Sequence, residues 1–258
     1  MMNNLSKLAR SAIAGCAVVL TLGLVASCGG GTEQITPFEP RRMLVLGDEM
    51  SVLTPVVGRK YSTNALSSDG IQLDCTNRRL WHQSVADQYN FSYAECNPNR
   101  DLENAAKIYA QVGAKVADLD EQLARARLEN EGEWSNTDLF VVLVGANDVL
   151  DVYQNVYLAD PGTQSYNASI ALLTARGVQL ARFINTLTRG EVSGPKVIVS
   201  TIPLMNLTPY AIRQGTLFPE LNVRSVLKDF STTLNTAMRA GDKRNDFSGI
   251  LNDGRFIG

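Results

Sequence analysis

The sequence predicts an α/β protein built on a parallel sheet. Three short apolar runs, at residues 43–46, 139–144 and 196–201, have the length of strands and are nearly continuous rather than alternating. The second and third runs are rich in β-branched residues. This pattern is typical of parallel strands that are buried on both faces.

Segments with helical spacing of apolar residues lie between and after these runs. They cover residues 80–89, 116–128, 170–187 and 223–238. In the last segment, Val226, Phe230 and Leu234 follow one another at intervals of four residues, which places them on one helix face. Because strands that alternate with amphipathic helices form βαβ units, we expect a doubly wound sheet.

Residues 1–27 are predicted to be a lipoprotein signal peptide rather than part of the fold. Lys7 and Arg10 make the start basic, and residues 12–26 form an apolar stretch too short for a comfortable membrane span. Small residues precede Cys28, as in the bacterial lipobox, so Cys28 is the predicted lipid-bearing first residue of the mature protein. The alternative is an uncleaved anchor or an ordinary signal peptide.

The rest of the chain divides into a tether and one large domain. Residues 28–40 contain several glycines and two prolines and are predicted to be a flexible tether, followed by a domain over residues 41–258. The predicted location is the bacterial cell envelope, with the protein exported and held by its lipid at the periplasmic face or outer membrane. Gly29, where some lipoproteins have Asp, favours the outer membrane by resemblance to enterobacterial sorting patterns.

Charge and cysteine content narrow the possible partners and cofactors. The net charge of −2 gives no basic surface for nucleic acid. Cys75 and Cys96 are the pair left after the signal peptide and the lipid site, and in an exported protein they predict a disulfide, with two buried thiols as the alternative. His82 is the single histidine and is predicted to lie at the surface or to cap a helix. The sequence therefore predicts no zinc site and no cofactor.

Two of the predicted strands end in loops suited to a binding site. The first loop is Gly47 to Ser51, and the second is Gly145 to Asp148. Sites in an open parallel sheet gather at the carboxyl ends of strands, and a glycine permits a tight turn there. Two such loops facing one crevice can hold an oxyanion, with Asn147 as a side-chain donor. The alternative is that Asp48 and Asn147 only cap helices.

The chain resembles the SGNH (GDSL) hydrolase family in these segments. Residues 45–51 (VLGDEMS) resemble the first family block, Gly-Asp-Ser-Leu-Ser after a strand, and residues 145–148 (GAND) resemble the block Gly-x-Asn-Asp. Residues 109–114 (YAQVGA) resemble the intervening block, in which a loop glycine lends its N–H. Residues 200–203 (STIP) resemble the strand-proline stretch further along.

The resemblance implies a flavodoxin-like three-layer α/β/α fold and hydrolysis of acyl or acetyl esters of lipid or carbohydrate. It places Gly113 and Asn147 in the oxyanion hole and Glu49 at the position of the nucleophilic serine. Asp48 aligns with the Asp that precedes this serine, and Asp48 and Ser51 are the predicted ligand-binding residues of the loop.

Two departures from the family argue against ester hydrolysis. Glu49 replaces the serine, and a carboxylate is a much weaker acyl-transfer nucleophile that a general base cannot activate. As an anion beside oxyanion donors, Glu49 is expected to bind to Gly113 and Asn147 and to act as a built-in inhibitor. Ser51 is expected to point away from Glu49, since two residues of helix rotate a side chain by about 200°.

The second departure is the missing Asp-x-x-His of the family. The chain ends shortly after Asn252-Asp253-Gly254, at what looks like the start of a strand, and we expect the domain to be incomplete at its C-terminus.

Three functions remain open at this point. The first is an SGNH-type esterase or lipase tethered to a membrane through Cys28. The second is a non-catalytic lipoprotein that binds a small ester, acyl-carbohydrate or lipid ligand in the same crevice. The third is a metal-dependent site in which Asp48, Glu49, Asp148 and Asp151 supply oxygen ligands. The favoured alternative is that Asp148 caps a helix and Asp151 is solvated on it.

Overall fold

The computed structural model describes residues 38–54, 59–60, 73–97, 99, 105–130, 134–188 and 194–241. The predicted signal peptide, Cys28 and nearly all of the tether lie outside these residues, as do residues 242–258.

The described part of the chain alternates between strands and helices, as its sequence pattern predicts. The strands are β1 (Arg42–Gly47), β2 (Leu53–Thr54), β3 (Arg59–Lys60), β4 (Ala106–Ile108), β5 (Asp138–Leu143) and β6 (Lys196–Val199). The α-helices are α1 (Trp81–Gln88), α2 (Leu119–Glu129), α3 (Ala146–Val152), α4 (Thr163–Thr188), α5 (Pro209–Leu217) and α6 (Val223–Ala240). Among the described residues, no helix combines the length and the apolarity that crossing a bilayer requires.

A parallel sheet with the order β4-β1-β5-β6 forms the centre of the protein. Counting only these strands along the chain, the order is 2-1-3-4, which is the start of the flavodoxin-like arrangement. β2 and β3 form a separate antiparallel ribbon. The predicted three-layer α/β/α fold is confirmed. Because the order of the strands reverses between β1 and β5, their carboxyl ends flank the crevice where such sheets bind ligands.

The core explains why β1 and β5 read as continuous apolar runs. Every residue of β1 after Arg42 is buried, and so is every residue of β5, which means that both faces of these strands are covered. On one face, Leu44 of β1 and Phe140 of β5 belong to a cluster with Leu119 of α2 and Leu180 of α4. A helix that precedes β5 in the chain, α2, and one that follows it, α4, therefore both pack on the central strands.

Several elements were not predicted, among them β4, the ribbon of β2 and β3, and α5. β4 has only three residues and includes Lys107, so it lacks an apolar run. The 3-10 turn Val116–Asp118 precedes α2 where the apolar spacing predicts one continuous helix, and α4 begins seven residues before its predicted start. Backbone pairing and tertiary contacts fix these boundaries more than local pattern does.

The predicted disulfide between Cys75 and Cys96 is present, with the two Cα atoms 5.8 Å apart. It joins two residues 21 positions apart in the chain, and the loop that it closes contains α1. The amide nitrogen of Gln83 on α1 donates a hydrogen bond to the Cys96 sulfur at 3.5 Å. The bridge therefore fastens α1, which carries Trp81 towards the site described below.

Replacing both bridged cysteines with alanine is expected to lower the free energy of unfolding by about 3 kcal/mol, because the unfolded chain regains the entropy of the open loop. Urea denaturation of the oxidised protein and of the Cys75→Ala/Cys96→Ala variant measures this loss. Dithiothreitol should destabilise the wild type to the same extent and leave the variant unchanged. A variant as stable as the oxidised wild type would contradict a structural role for the bridge.

Candidate functional site

The first site loop begins at Gly47, where β1 turns sharply beside β5. Gly47 has φ 132°, and a Cβ added there would lie 1.8 Å from the carbonyl oxygen of Leu143. The fully buried amide of Gln122 on α2 accepts from the Gly47 N–H at 2.7 Å and donates to the Gly47 carbonyl at 2.9 Å. The turn is therefore held by the neighbouring strand and by a helix, and only glycine fits it.

Asp48 follows and is fully buried. Its backbone N–H donates to Leu143 O at 3.0 Å, and its Oδ1 accepts from the Met50 N–H at 3.1 Å. This contact caps the 3-10 turn Glu49–Ser51, so the capping alternative is correct for Asp48. The other carboxyl oxygen, Oδ2, is buried without a hydrogen-bond partner in the part of the chain that the structure describes. Burial, and to a smaller extent the nearby charges of Glu49 and Asp148, raises the pKa of Asp48 to about 7.

This raised pKa predicts that Asp48 makes stability depend on pH. The folded protein holds the Asp48 proton more tightly than the unfolded chain, whose pKa is the ordinary 3.8. The resulting stabilisation is fully present only at low pH, is lost as the pH rises to about 7, and stays lost above it. Between about pH 5 and about pH 8, we expect the free energy of unfolding of the wild type to fall by roughly 2–3 kcal/mol more than that of Asp48→Asn.

Urea denaturation of both proteins at these two pH values measures the difference, because the remaining titrating groups are common to both. Asparagine keeps an oxygen for the Met50 N–H and carries no charge, so the fold is retained. Identical pH profiles for the two proteins would show that Asp48 does not titrate in this range.

The second loop positions Asn147 at the carboxyl end of β5. Gly145, with φ 122°, precedes α3, and Asn147 lies in the first turn of that helix. Its Nδ2 donates to the carbonyl of Ala114 at 3.0 Å, so the capping alternative is wrong for Asn147. Asp148 is buried, accepts from the Val116 N–H at 2.9 Å and lies 3.6 Å from the Arg176 guanidinium. These contacts tie the second loop to a third one, around Gly113.

The third loop follows β4 and presents the Gly113 N–H. The Gln111 N–H donates to Gly47 O at 3.0 Å, which joins this loop to the end of β1. Gly113 has φ 79° and is exposed, and a Cβ added there would meet no atom within 4 Å. Its N–H therefore points into an accessible part of the crevice.

The three loops converge on the side chain of Glu49, as the sequence predicts. Glu49 Oε2 accepts from the Gly113 N–H at 3.0 Å and from Asn147 Nδ2 at 2.8 Å. One carboxylate oxygen thus occupies both donors that the family resemblance places in an oxyanion hole. Glu49 is half-buried, so water and small solutes reach this contact from one side.

Ser51 is placed apart from the contacts of Glu49. It is fully buried, and its Oγ accepts from Trp81 Nε1 at 3.1 Å. Sequence reasoning missed this role of Trp81, since the apolar pattern assigns it only to the packing face of a helix. Asp48 and Ser51 are both buried, whereas Glu49, Gly113 and Asn147 are each at least partly accessible to solvent.

The prediction that His82 lies at the surface or caps a helix is wrong. The residue is fully buried, and its Nδ1 lies 2.7 Å from the Tyr93 hydroxyl. It shares the buried side of α1 with Gln83 and Ala86. The Nδ1 of this buried ring has its partner eleven residues away along the chain, and local spacing does not reveal such a partner.

The four carboxylates of the metal hypothesis are engaged in separate contacts. Asp151 forms an ion pair with Lys115 at 2.8 Å, while Asp48, Glu49 and Asp148 hold the backbone and side-chain donors given above. Within the described ranges, no group of three or more His, Cys, Asp or Glu side chains is arranged to hold a metal ion.

Sequence reasoning also missed Gln122, although a signal for it exists. The residue falls on the apolar face of α2 defined by Leu119 and Ala126, where a polar side chain needs a partner. That partner is the backbone of Gly47, the residue at which the site begins.

Comparisons with known proteins do not assign this chain to a family. No protein-family model matches the sequence, and no curated protein matches it either. The SGNH resemblance therefore remains a hypothesis based on the quoted segments and on the geometry around Glu49.

Proposed function

We propose that this chain is a membrane-anchored, SGNH-hydrolase-like protein that binds an ester or acyl ligand without hydrolysing it at an appreciable rate. The ligand is an acyl or acetyl ester of a lipid or carbohydrate, or the carboxylate derived from it. It binds in the crevice between β1 and β5, where Glu49, Gly113 and Asn147 meet. The observation that carries the proposal is the pair of hydrogen bonds from Gly113 and Asn147 to one oxygen of Glu49.

These two bonds favour binding over hydrolysis for an electrostatic reason. Donors of an oxyanion hole act by stabilising negative charge that develops on the substrate during reaction. Here Glu49 supplies that charge before any substrate arrives, so a developing oxyanion has to displace it. The carboxylate is also a poor acyl-transfer nucleophile, because its attack gives a labile anhydride.

Histidine does not supply a general base to this crevice in the described part of the chain. His82 is the single histidine of the sequence, and its ring is buried against Tyr93. A hydroxyl near Glu49 would therefore lack the partner that activates serine in hydrolases of this type.

Ester hydrolysis is the second candidate function, and the retained donor geometry favours it. Gly113 N–H and Asn147 Nδ2 converge on a single point at hydrogen-bonding distances of 3.0 and 2.8 Å. Such convergence is the geometric requirement for stabilising a tetrahedral intermediate. The carboxylate at position 49 opposes this candidate, as does the lack of a histidine base near it among the described residues.

Turnover of p-nitrophenyl acetate and butyrate by the purified protein distinguishes the two candidates. We expect rates equal to the buffer blank, with or without divalent metal ions. The variant Glu121→Ala, which removes an exposed carboxylate from α2, is the matched control for Glu49→Ala. Turnover that survives in Glu121→Ala and disappears in Glu49→Ala would contradict the proposal and establish hydrolysis, while turnover only with metal would support the metal-dependent alternative.

The proposed anchor is tested separately, by growing cells with labelled palmitate. We expect the label to be incorporated into the wild type and to be lost in Cys28→Ala. Equal labelling of both proteins, or of neither, would contradict lipidation at Cys28.

A further inference from the structure

A polar cavity of about 410 Å³ lies at the end of the sheet opposite Glu49. It is open to solvent on one side and is lined by the amino ends of β1, β4 and β5, by Asn130 at the end of α2, and by Ser135 and Thr137 before β5. Its polar lining comes mainly from Arg41, Arg42, Lys107, Asn130, Ser135 and Asp138. None of these residues takes part in the site at the carboxyl end of the strands.

The register of the sheet places the charged groups of this cavity on one face. Arg42 is opposite Asp138, and Leu44, two residues after Arg42, is opposite Lys107. Residues two apart on a strand share a face, so Arg42, Lys107 and Asp138 project to the same side. Leu44 packs with α2 on that side, and Asn130 at the end of α2 closes the cavity.

Among the described residues that line the cavity, cationic side chains outnumber carboxylates. Arg41, Arg42 and Lys107 are three cations, and Asp138 is the one carboxylate. Arg42 is held by Asp138 through contacts of 2.5 and 3.0 Å, and by the Trp134 ring at 5.3 Å, so its charge is compensated and its position fixed. It also donates to the Asn130 carbonyl at 3.4 Å, which offsets the negative end of α2.

In the part of the chain that the structure describes, neither of the two remaining cations forms an ion pair with a carboxylate. Lys107 Nζ donates to Asn130 Oδ1 at 3.0 Å, and this amide oxygen is neutral, so it orients the ammonium group without cancelling its charge. Arg41 is exposed at the mouth of the cavity. The hydroxyl groups of Ser135 and Thr137, 2.8 Å from each other, add hydrogen-bonding groups beside these charges. Arginine, lysine and hydroxyl groups together are the usual partners of a phosphate.

The position of the tether indicates where such a phosphate comes from. Arg41 directly precedes β1, so the predicted tether joins the domain at this end of the sheet. A fully extended chain from Cys28 to Arg41 spans at most about 45 Å. If Cys28 carries a lipid, as the proposed function holds, the cavity is the end of the domain covalently closest to the bilayer.

We propose that this cavity binds the phosphate group of an anionic lipid headgroup in the membrane that holds the anchor. Arg41 and Lys107 bind the phosphate oxygens, and the Arg42–Asp138 pair keeps the wall of the cavity in place. The contact orients the domain, with the Glu49 crevice directed away from the membrane surface. This inference rests on the proposed anchor for the source of the ligand and is independent of any activity at Glu49.

The test is a calorimetric titration of the mature protein, held in phosphatidylcholine nanodiscs, with water-soluble headgroup probes. Glycerophosphoglycerol carries the anionic phosphodiester, and glycerophosphocholine carries the same group with a compensating cation. We expect saturable binding of glycerophosphoglycerol, at least tenfold weaker binding of glycerophosphocholine, and at least tenfold weaker binding of the anionic probe to Arg41→Gln/Lys107→Gln. The control Arg213→Gln/Lys228→Gln removes two exposed cations from α5 and α6 and should stay within twofold of the wild type.

Two results would overturn the inference. One is that neither probe binds saturably, or that Arg41→Gln/Lys107→Gln binds glycerophosphoglycerol as tightly as the control Arg213→Gln/Lys228→Gln does. The other is tighter binding of inorganic phosphate than of glycerophosphoglycerol, which would make this a site for free phosphate instead of a lipid headgroup. The titration can also be run on unlipidated protein in solution, so failure of the anchor at Cys28 and failure of the cavity are distinguishable.

Discussion

Replacing Glu49 with alanine is expected to open the crevice to small anions, so that acetate binds at least ten times more tightly to the variant than to the wild type. In the wild type, the tethered carboxylate competes for the Gly113 N–H and Asn147 Nδ2 at a high effective concentration. Its removal leaves both donors free. A tenfold gain corresponds to about 1.4 kcal/mol, which is within the range of hydrogen bonds to a charged group.

A titration with acetate at constant ionic strength measures this gain. Glu121→Ala removes the same charge from an exposed position on α2 and should bind acetate no better than the wild type. Adding Asn147→Ala to Glu49→Ala should abolish the gain, because one of the two donors is then missing. Equal acetate affinity in Glu49→Ala and the wild type would show that Glu49 does not block the donors.

Replacing Gly47 with alanine is expected to have the largest effect on stability, a loss of more than about 4 kcal/mol or failure to fold. The added Cβ would lie 1.8 Å from Leu143 O, at the last pair of the β1–β5 register. Neither strand can yield, since β5 and all of β1 after Arg42 are buried and Gln122 fixes the Gly47 backbone from α2. Urea denaturation, or the yield of folded protein, measures the loss.

Gly113→Ala is the matched control for the cost of the backbone conformation alone. Gly113 also has a positive φ, 79°, but no atom lies within 4 Å of an added Cβ. We expect Gly113→Ala to lower the free energy of unfolding by about 1 kcal/mol. Similar losses at the two positions would contradict the conclusion that the contact with Leu143 makes Gly47 obligatory.

The sequence predicts the sheet well where burial is complete and poorly where it is not. β1 and β5 were located to within one residue because both faces are covered, which makes each strand a continuous apolar run. β4 was missed because it is three residues long and only half-buried beyond Ala106. Its place in the sheet depends on pairing with β1, a contact across sixty residues that no local pattern encodes.

The sequence predicts the turns that form the candidate site better than it predicts the side-chain contacts that support them. Glycines at strand ends located Gly47 and Gly145, and both have positive φ. The predicted contact of Glu49 with Gly113 and Asn147 rests on the family resemblance, which places the three residues together, and on the attraction of an anion to two donors. The partner of Gln122 is distant along the chain and is visible only in the folded structure.

The central claim, that the Glu49 carboxylate occupies both donors, is tested most directly by proton chemical shifts. The two signals are the Gly113 amide and the Asn147 side-chain amide of the isotopically labelled mature protein. In Glu49→Ala both signals should move upfield, because they lose a charged acceptor, and added acetate should return them towards their wild-type positions. In Glu121→Ala neither signal should move. Wild-type shifts for both signals in Glu49→Ala would mean that the carboxylate does not bind these donors in solution, and the proposed closed site would be wrong.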